Sequence, residues 1–282
     1  MASRLARLIE SLAYLLGTTL RSPPEGGRLA KAIGASGMDA VFEHRSPLAY
    51  LRSELVAALG QFRVVLPPPG ALAPGNQDLW GLVYLVSIAR AIDARVIFEI
   101  GTYNGFTALT LATNVPDAIV HTLDLPPGRQ ARLELAGSDY GHIAYVRDRP
   151  QRLYMGTPEQ ERIVQHLDDS AQFDFGPFES ACDVVYIDGA HSWSYVMNDS
   201  EAAFRMVRSR GVVVWDDYQR LLPDVPLYLD LLAERGVVRL PRSRLVVSFG
   251  DDASKNLEDL MTKNRPGSVG SGQRADTGDF SV

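Results

Sequence analysis

The sequence predicts an α/β fold in which a mostly parallel sheet carries helices on both faces and an antiparallel hairpin at one edge. Strand-like and helix-like patterns alternate from Asn76 onward. Two runs, Cys182-Asp-Val-Val-Tyr-Ile-Asp188 and Gly211-Val-Val-Val-Trp-Asp216-Asp217, are short, rich in β-branched residues and nearly all apolar before they break off in carboxylates. Strands buried on both faces of a parallel sheet have this composition. Residues 192–208 between them are long enough for the crossover helix that parallel strands require.

The elements follow in order. Residues 1–75 hold helical pieces at 2–19, 29–33 and 48–59, broken by Pro23-Pro24, Gly26-Gly27 and Pro67-Pro68-Pro69-Gly70. They are read as a helical leading segment that serves as a cap or in oligomerisation. Leu5, Leu8, Ile9, Leu12, Leu15 and Leu16 recur at helical intervals with Glu10-Ser11 between them, so the first piece is an amphipathic helix and not a signal peptide. It packs on the body or on a second chain, which makes a homo-oligomer an expectation. Leu79, Leu82, Val83 and Val86 mark a helix leading into the main domain, assigned to residues 76–250. Strands are expected at 96–100, 119–123, 152–155, 183–187 and 212–215, and helices at 105–113, 158–167, 194–208 and 226–235. Asp199 and Glu201 are placed on the solvated face of the third of these helices. Residues 237–240 and 245–249 form the closing hairpin, bringing the sheet to seven strands. The polar, Gly- and Ser-rich residues 251–282 are expected to be a disordered tail.

Composition removes several function classes. With 46% hydrophobic residues, 22% charged residues and a formal charge of −6, the chain is that of an ordinary globular protein and lacks the basic stripe of a nucleic-acid binder. The single cysteine, Cys182, lies inside a strand, so no disulfide framework forms and a reducing compartment is expected. No apolar run approaches the roughly 20 residues that cross a bilayer. A cytoplasmic protein without membrane association is the expectation.

The first strand ends in Glu99-Ile-Gly101-Thr-Tyr-Asn-Gly105-Phe, a glycine turn that opens a helix and lets backbone approach a nucleotide-like ligand. Tyr103 stands where a dinucleotide fingerprint needs its middle glycine, so close approach to a pyrophosphate is not indicated. Asp124 ends the second strand about 20 residues on, the distance at which an acid accepts ribose hydroxyls. Asp188, Asp216 and Asp217 then meet at the carboxyl ends of neighbouring strands. Two carboxylates about 4 Å apart repel by roughly 4 kcal/mol at an effective dielectric near 20, so three call for a cation. Oxygen ligands suit a hard ion such as Mg²⁺ or Mn²⁺. His44, His121, His142 and His166 have no partner at recognisable spacing and are read as structural or exposed.

In combination, Glu99-x-Gly101-x-x-x-Gly105, Asp124, Ile187-Asp-Gly-Ala-His191 and Trp215-Asp-Asp217 resemble the class I S-adenosylmethionine-dependent methyltransferases. Among these the chain is most similar to the metal-dependent O-methyltransferases, in particular the macrocin and mycinamicin group, over about residues 76–249. The resemblance implies a Rossmann-like sheet and S-adenosylmethionine as methyl donor. It places Glu99, Gly101, Thr102, Tyr103 and Gly105 around the methionine part, Asp124 on the ribose, Gly156 near the adenine, and Asp188 at both cofactor and metal. Asp188, Asp216 and Asp217 become the ligands of Mg²⁺ or Mn²⁺, and His191 the base that deprotonates a metal-polarised hydroxyl. The acceptor implied is a small hydroxylated molecule, a sugar or natural-product diol. Two alternatives keep the fold: different chemistry, as in cephalosporin hydroxylase-like relatives, or a non-catalytic S-adenosylmethionine-binding protein.

Overall fold

A computed structural model describes residue 46, residues 48–67 and residues 76–250. The expected pieces at 2–19 and 29–33 and the expected tail at 251–282 lie outside the described residues. Seven strands form one sheet in the order β3-β2-β1-β4-β5-β7-β6. Their bounds are β1 Val96–Ile100, β2 Ile119–Asp124, β3 Ile163–Leu167, β4 Cys182–Ile187, β5 Val207–Trp215, β6 Val238–Arg239 and β7 Val246–Phe249. The pairs from β3 to β5 are parallel, and β7 runs antiparallel to both β5 and β6. The expected mostly parallel sheet with an antiparallel edge is the fold observed.

Helices α1 Ser53–Leu59, α2 Leu79–Ala91, α3 Phe106–Asn114, α4 Asp139–Asp148, α5 Trp193–Met206 and α6 Asp224–Asp230 connect or cover the strands. Local chemistry sets their ends. The Asp78 carboxylate accepts from the Gly81 amide at 2.9 Å and starts α2, and the Ser192 hydroxyl caps α5 through the Tyr195 amide. The strand period divides the core between the two faces. Along β4, Val184 and Tyr186 join Leu85, Ile88 and Leu111 on one face, while Val185 and Ile187 join Phe98, Trp215 and Leu229 on the other. Each fully buried large side chain of this kind contributes about 1.5–3 kcal/mol. Of the leading segment, Leu51, Leu55 and Leu59 belong to the first face's core, and the chain around Tyr50 pairs with Arg239 at the β6 edge.

Three expectations about this framework need correction. Residues 152–155 are a turn and not the third strand: Arg152 and Tyr154 are buried while Met155 is exposed, a local alternation that imitates a strand. The strand is Ile163–Leu167, inside the expected helix 158–167, because the helix begun by Pro158 is a single 3₁₀ segment ending at Arg162. At this sheet edge only Ile163 is buried, so an apolar run was absent. Helix α4 was not anticipated, since it buries only Asp139 and Val146 along its length. Asp199 is fully buried, whereas Glu201 is exposed as expected.

Candidate active site

Strands β1 and β4 are neighbours, yet the chain leaves β1 towards β2 and leaves β4 towards β5. Open α/β sheets bind ligands at this reversal. The Asp188 amide donates to the Ile100 carbonyl at 2.8 Å, holding the ends of the two strands together. Gly101 has φ +102°, and a Cβ there would lie 1.9 Å from the Asp188 carbonyl oxygen, so only glycine permits the crossing. Tyr103 (φ +50°) and Gly105 (φ +80°) complete a turn with three left-handed residues.

The turn opens on a cavity of about 980 Å³, mouth included. Its walls include Gly101 and Tyr103 after β1, Asp124 at the end of β2, Asp168 and Asp169 after β3, and Asp188 and His191 after β4. Asp217 after β5 lines it as well, as does α4 through Asp139, His142, Ile143 and Val146. Of the expected cofactor residues, Gly101, Tyr103, Asp124 and Asp188 line this cavity. Glu99, Thr102, Gly105 and Gly156 do not. Glu99 and Thr102 are buried behind the wall, where the Thr122 hydroxyl reaches both: it lies 2.5 Å from a Glu99 carboxyl oxygen and 2.7 Å from the Thr102 hydroxyl. Gly156 is exposed in the turn after Tyr154.

Residues 98–218 match the Methyltransf_24 family model, described as a methyltransferase domain. Over these residues the chain is similar to methyltransferase domains. The match spans β1 to Tyr218 and so includes the glycine turn, Asp124, His191 and the acids after β4 and β5. No curated protein matches the chain. Among solved structures, a Podospora anserina methyltransferase with S-adenosylhomocysteine bound is 18% identical at a TM-score of 0.46, covering 77% of this chain and 96% of its own. TomG, an O-methyltransferase of Streptomyces achromogenes in complex with S-adenosylmethionine, is 16% identical at 0.41, covering 75% and 96%. A Bacillus cereus O-methyltransferase with S-adenosylhomocysteine is 14% identical at 0.43, covering 74% and 97%. Among the described residues, no helix is long and apolar enough to cross a membrane.

The three expected metal acids differ in their surroundings. Ligand atoms of Asp188, His191 and Asp217 lie within 4.8 Å of one another. Asp216 instead faces Arg244, whose Nη2 is 3.2 Å from its Oδ2, and the same guanidinium lies 3.4 Å from Asp217. The Tyr186 hydroxyl sits 3.1 Å from Asp188 and 3.2 Å from Asp216, and accepts from Gln77 at 3.0 Å. Burial, and then repulsion from Asp217, raises Asp216 to about 6 against the pull of Arg244. Asp188 is held well above the carboxylate range by burial and by the charges of Asp216 and Asp217. Among the described residues no lysine or arginine pairs with it. Burial and repulsion leave Asp188 as the acid in need of a cation, and the residues present fit one.

His191 is clamped on both nitrogens. Nδ1 lies 2.5 Å from Asp139 and Nε2 lies 2.7 Å from Asp217, with the ring buried. Burial alone would favour the neutral ring, but the charge of Asp139 and hydrogen bonds to both carboxylates raise its pKa well above the ordinary value. For Asp217 the same balance runs the other way: burial would raise it, and the His191 hydrogen bond and charge bring it below. Asp139 and Arg244 are site residues that sequence reasoning missed. Asp139 stands in a polar helix with no local signal, whereas Arg244 had one, since three adjacent acids invite a search for a nearby arginine. His142 lines the cavity, and His121 and His166 pair at 3.1 Å, although neither arrangement was readable from spacing.

Glu99 gives a pH test of the buried wall. Burial raises its pKa to about 8, with the Thr122 hydrogen bond opposing and Asp124 adding to the rise. The unfolded chain ionises this group near the ordinary value of 4.5, so its contribution to stability is full below that pH and is lost as pH climbs to about 8. Glu99→Gln is expected to flatten the fall of Tm between about pH 5 and pH 8 in scanning calorimetry. An unchanged slope would remove Glu99 as its source.

Proposed function

We propose that this chain is an S-adenosylmethionine-dependent O-methyltransferase that methylates a hydroxyl of a small molecule, a sugar or natural-product diol, with a divalent cation in its site. The observation that carries this reading is the sharing of one cavity by the glycine turn, Asp124 and the Asp188–His191–Asp217 cluster. Gly101 and Tyr103 meet the methionine part of the donor, and Asp124 accepts hydrogen bonds from its ribose hydroxyls. Asp188 and Asp217 would hold Mg²⁺ or Mn²⁺, oxygen ligands that suit either ion. A bound divalent cation supplies Lewis-acid polarisation of the acceptor oxygen.

The residues of the chain handle the proton. As the acceptor hydroxyl displaces Asp217 from His191 Nε2, one of the two carboxylates that hold the imidazole protonated is removed, and the Nε2 proton leaves to bulk water through the cavity mouth before the acceptor seals it. The neutral ring then accepts the hydroxyl proton at Nε2 while Asp139 keeps the Nδ1 proton and stabilises the imidazolium that forms. The acceptor oxygen attacks the methyl carbon, and the carbon–sulfur bond breaks with its electron pair returning to sulfur, leaving a neutral thioether. Burial of Asp139 and His191 keeps bulk water from this proton.

The test is transfer of labelled methyl from S-adenosylmethionine to a panel of sugars and vicinal diols, with Mn²⁺, with Mg²⁺ and with EDTA. Transfer to oxygen in the metal arms and its loss in EDTA are expected, together with a metal-dependent rise in Tm that Asp188→Asn abolishes. Donor binding without transfer anywhere in the panel and without a metal effect on Tm would overturn the reading in favour of a non-catalytic binding protein.

A further inference from the structure

Residues 152–155 were read from the sequence as a strand, and the placement of the turn they form gives it another use. Arg152 is 6% exposed, does not line the cavity, and lies behind Asp124, which does. Its Nη2 donates to Asp124 Oδ2 at 3.0 Å and its Nη1 to the Pro150 carbonyl at 3.0 Å, while its buried Nε has no partner among the described residues. Asp124 Oδ1 accepts from the Leu125 amide at 3.1 Å. The same turn supports the glycine loop: the Leu153 amide donates to the Asn104 carbonyl at 2.9 Å, and a Cβ on Gly105 would lie 2.7 Å from the Tyr154 ring and 3.2 Å from Arg152 Cβ. One short segment thus braces both parts of the donor site.

We propose that Arg152 is a positioning residue for the donor: its guanidinium fixes Asp124 from behind and keeps it a carboxylate turned to the ribose hydroxyls. The inference rests on the reading of Asp124 as the ribose acid. Burying an arginine without the acid in front of it would be costly, and burying the acid without the arginine equally so, so the pair is held as a unit. Even with Arg152 in place, burial raises Asp124 to about 6. The carboxylate form accepts the hydroxyl hydrogens, so donor affinity is full above that pH and falls as pH drops through it. Removal of the guanidinium moves this fall to higher pH.

The experiment measures Kd by calorimetry for S-adenosylhomocysteine and for its 2′,3′-dideoxy analogue, with wild-type protein, Arg152→Met, Arg152→Lys and Asp124→Asn. Arg152→Met is expected to weaken S-adenosylhomocysteine about tenfold and the dideoxy analogue less than about threefold, with the affinity loss beginning at higher pH. Arg152→Lys, which keeps the charge, is expected to restore most of the preference and also serves the test if the methionine variant does not fold. Equal weakening of both ligands would make Arg152 a packing residue only and overturn the proposal, as would unchanged affinity for both. A wild-type protein that binds both ligands alike, or an Asp124→Asn variant that keeps the wild-type preference for S-adenosylhomocysteine, would instead show that Asp124 is not the ribose acid.

Discussion

His191→Ala is expected to lower kcat by about two to four orders of magnitude while leaving the metal-dependent rise in Tm in place. The expectation follows from dividing the cluster between two tasks. In the proposed mechanism Asp188 and Asp217 serve the cation, and His191 Nε2 serves the acceptor proton, oriented through the 2.5 Å contact of Nδ1 with Asp139. The measurement pairs steady-state turnover at saturating donor with thermal shift in Mn²⁺. Loss of the thermal shift along with turnover would make His191 a metal ligand and would move the base elsewhere. Asp139→Asn separates the two further, because an amide can orient the ring but cannot balance the imidazolium charge. Its kcat loss is expected to approach that of His191→Ala.

Gly101→Ala carries the largest expected structural effect. The new methyl would lie 1.9 Å from the Asp188 carbonyl oxygen, a backbone atom that cannot withdraw without breaking the junction of β1 with β4, and φ is +102° as well. A cost of about 3–5 kcal/mol is expected, with Tm lower by roughly 10 °C in scanning calorimetry and donor binding lost in the fraction that folds. A variant that melts within about 2 °C of wild type would show that the strand ends part easily, and would weaken the argument that this junction fixes the geometry of the site.

Legibility in the sequence followed burial. Strands β1 and β4 and the second half of β5 were readable because both faces are covered and nearly every position is apolar; β4 is buried at all six positions, and β5 is buried only from Gly211 to Trp215. The edge strand β3 was not, since Val164 and Leu167 are exposed and Gln165 and His166 interrupt the pattern. The site shows the same division. Gly101, Asp124, Asp188, His191 and Asp217 follow strand ends, where turn chemistry and carboxylates stand out against an apolar run. Asp139 and Arg244 reach the cluster across distances of 52 and 28 residues in the chain, through contacts that no local period encodes. The sequence motif grouped Asp216 with Asp188 and Asp217; Tyr186 and Arg244 tie Asp216 to these two, while Asp217 is the one that reaches His191.

Arg244 belongs to the link between β6 and β7, the last strands of the described chain. Synthesis delivers Asp188, Asp216 and Asp217 first and this guanidinium only afterwards. Until the terminal hairpin has added itself antiparallel to β5, Asp216 has no arginine beside it, and the growing sheet presents a bare carboxylate edge that resists closing. A polypeptide that stops short of Arg244 therefore carries the acids without the guanidinium that lies beside Asp216 and Asp217.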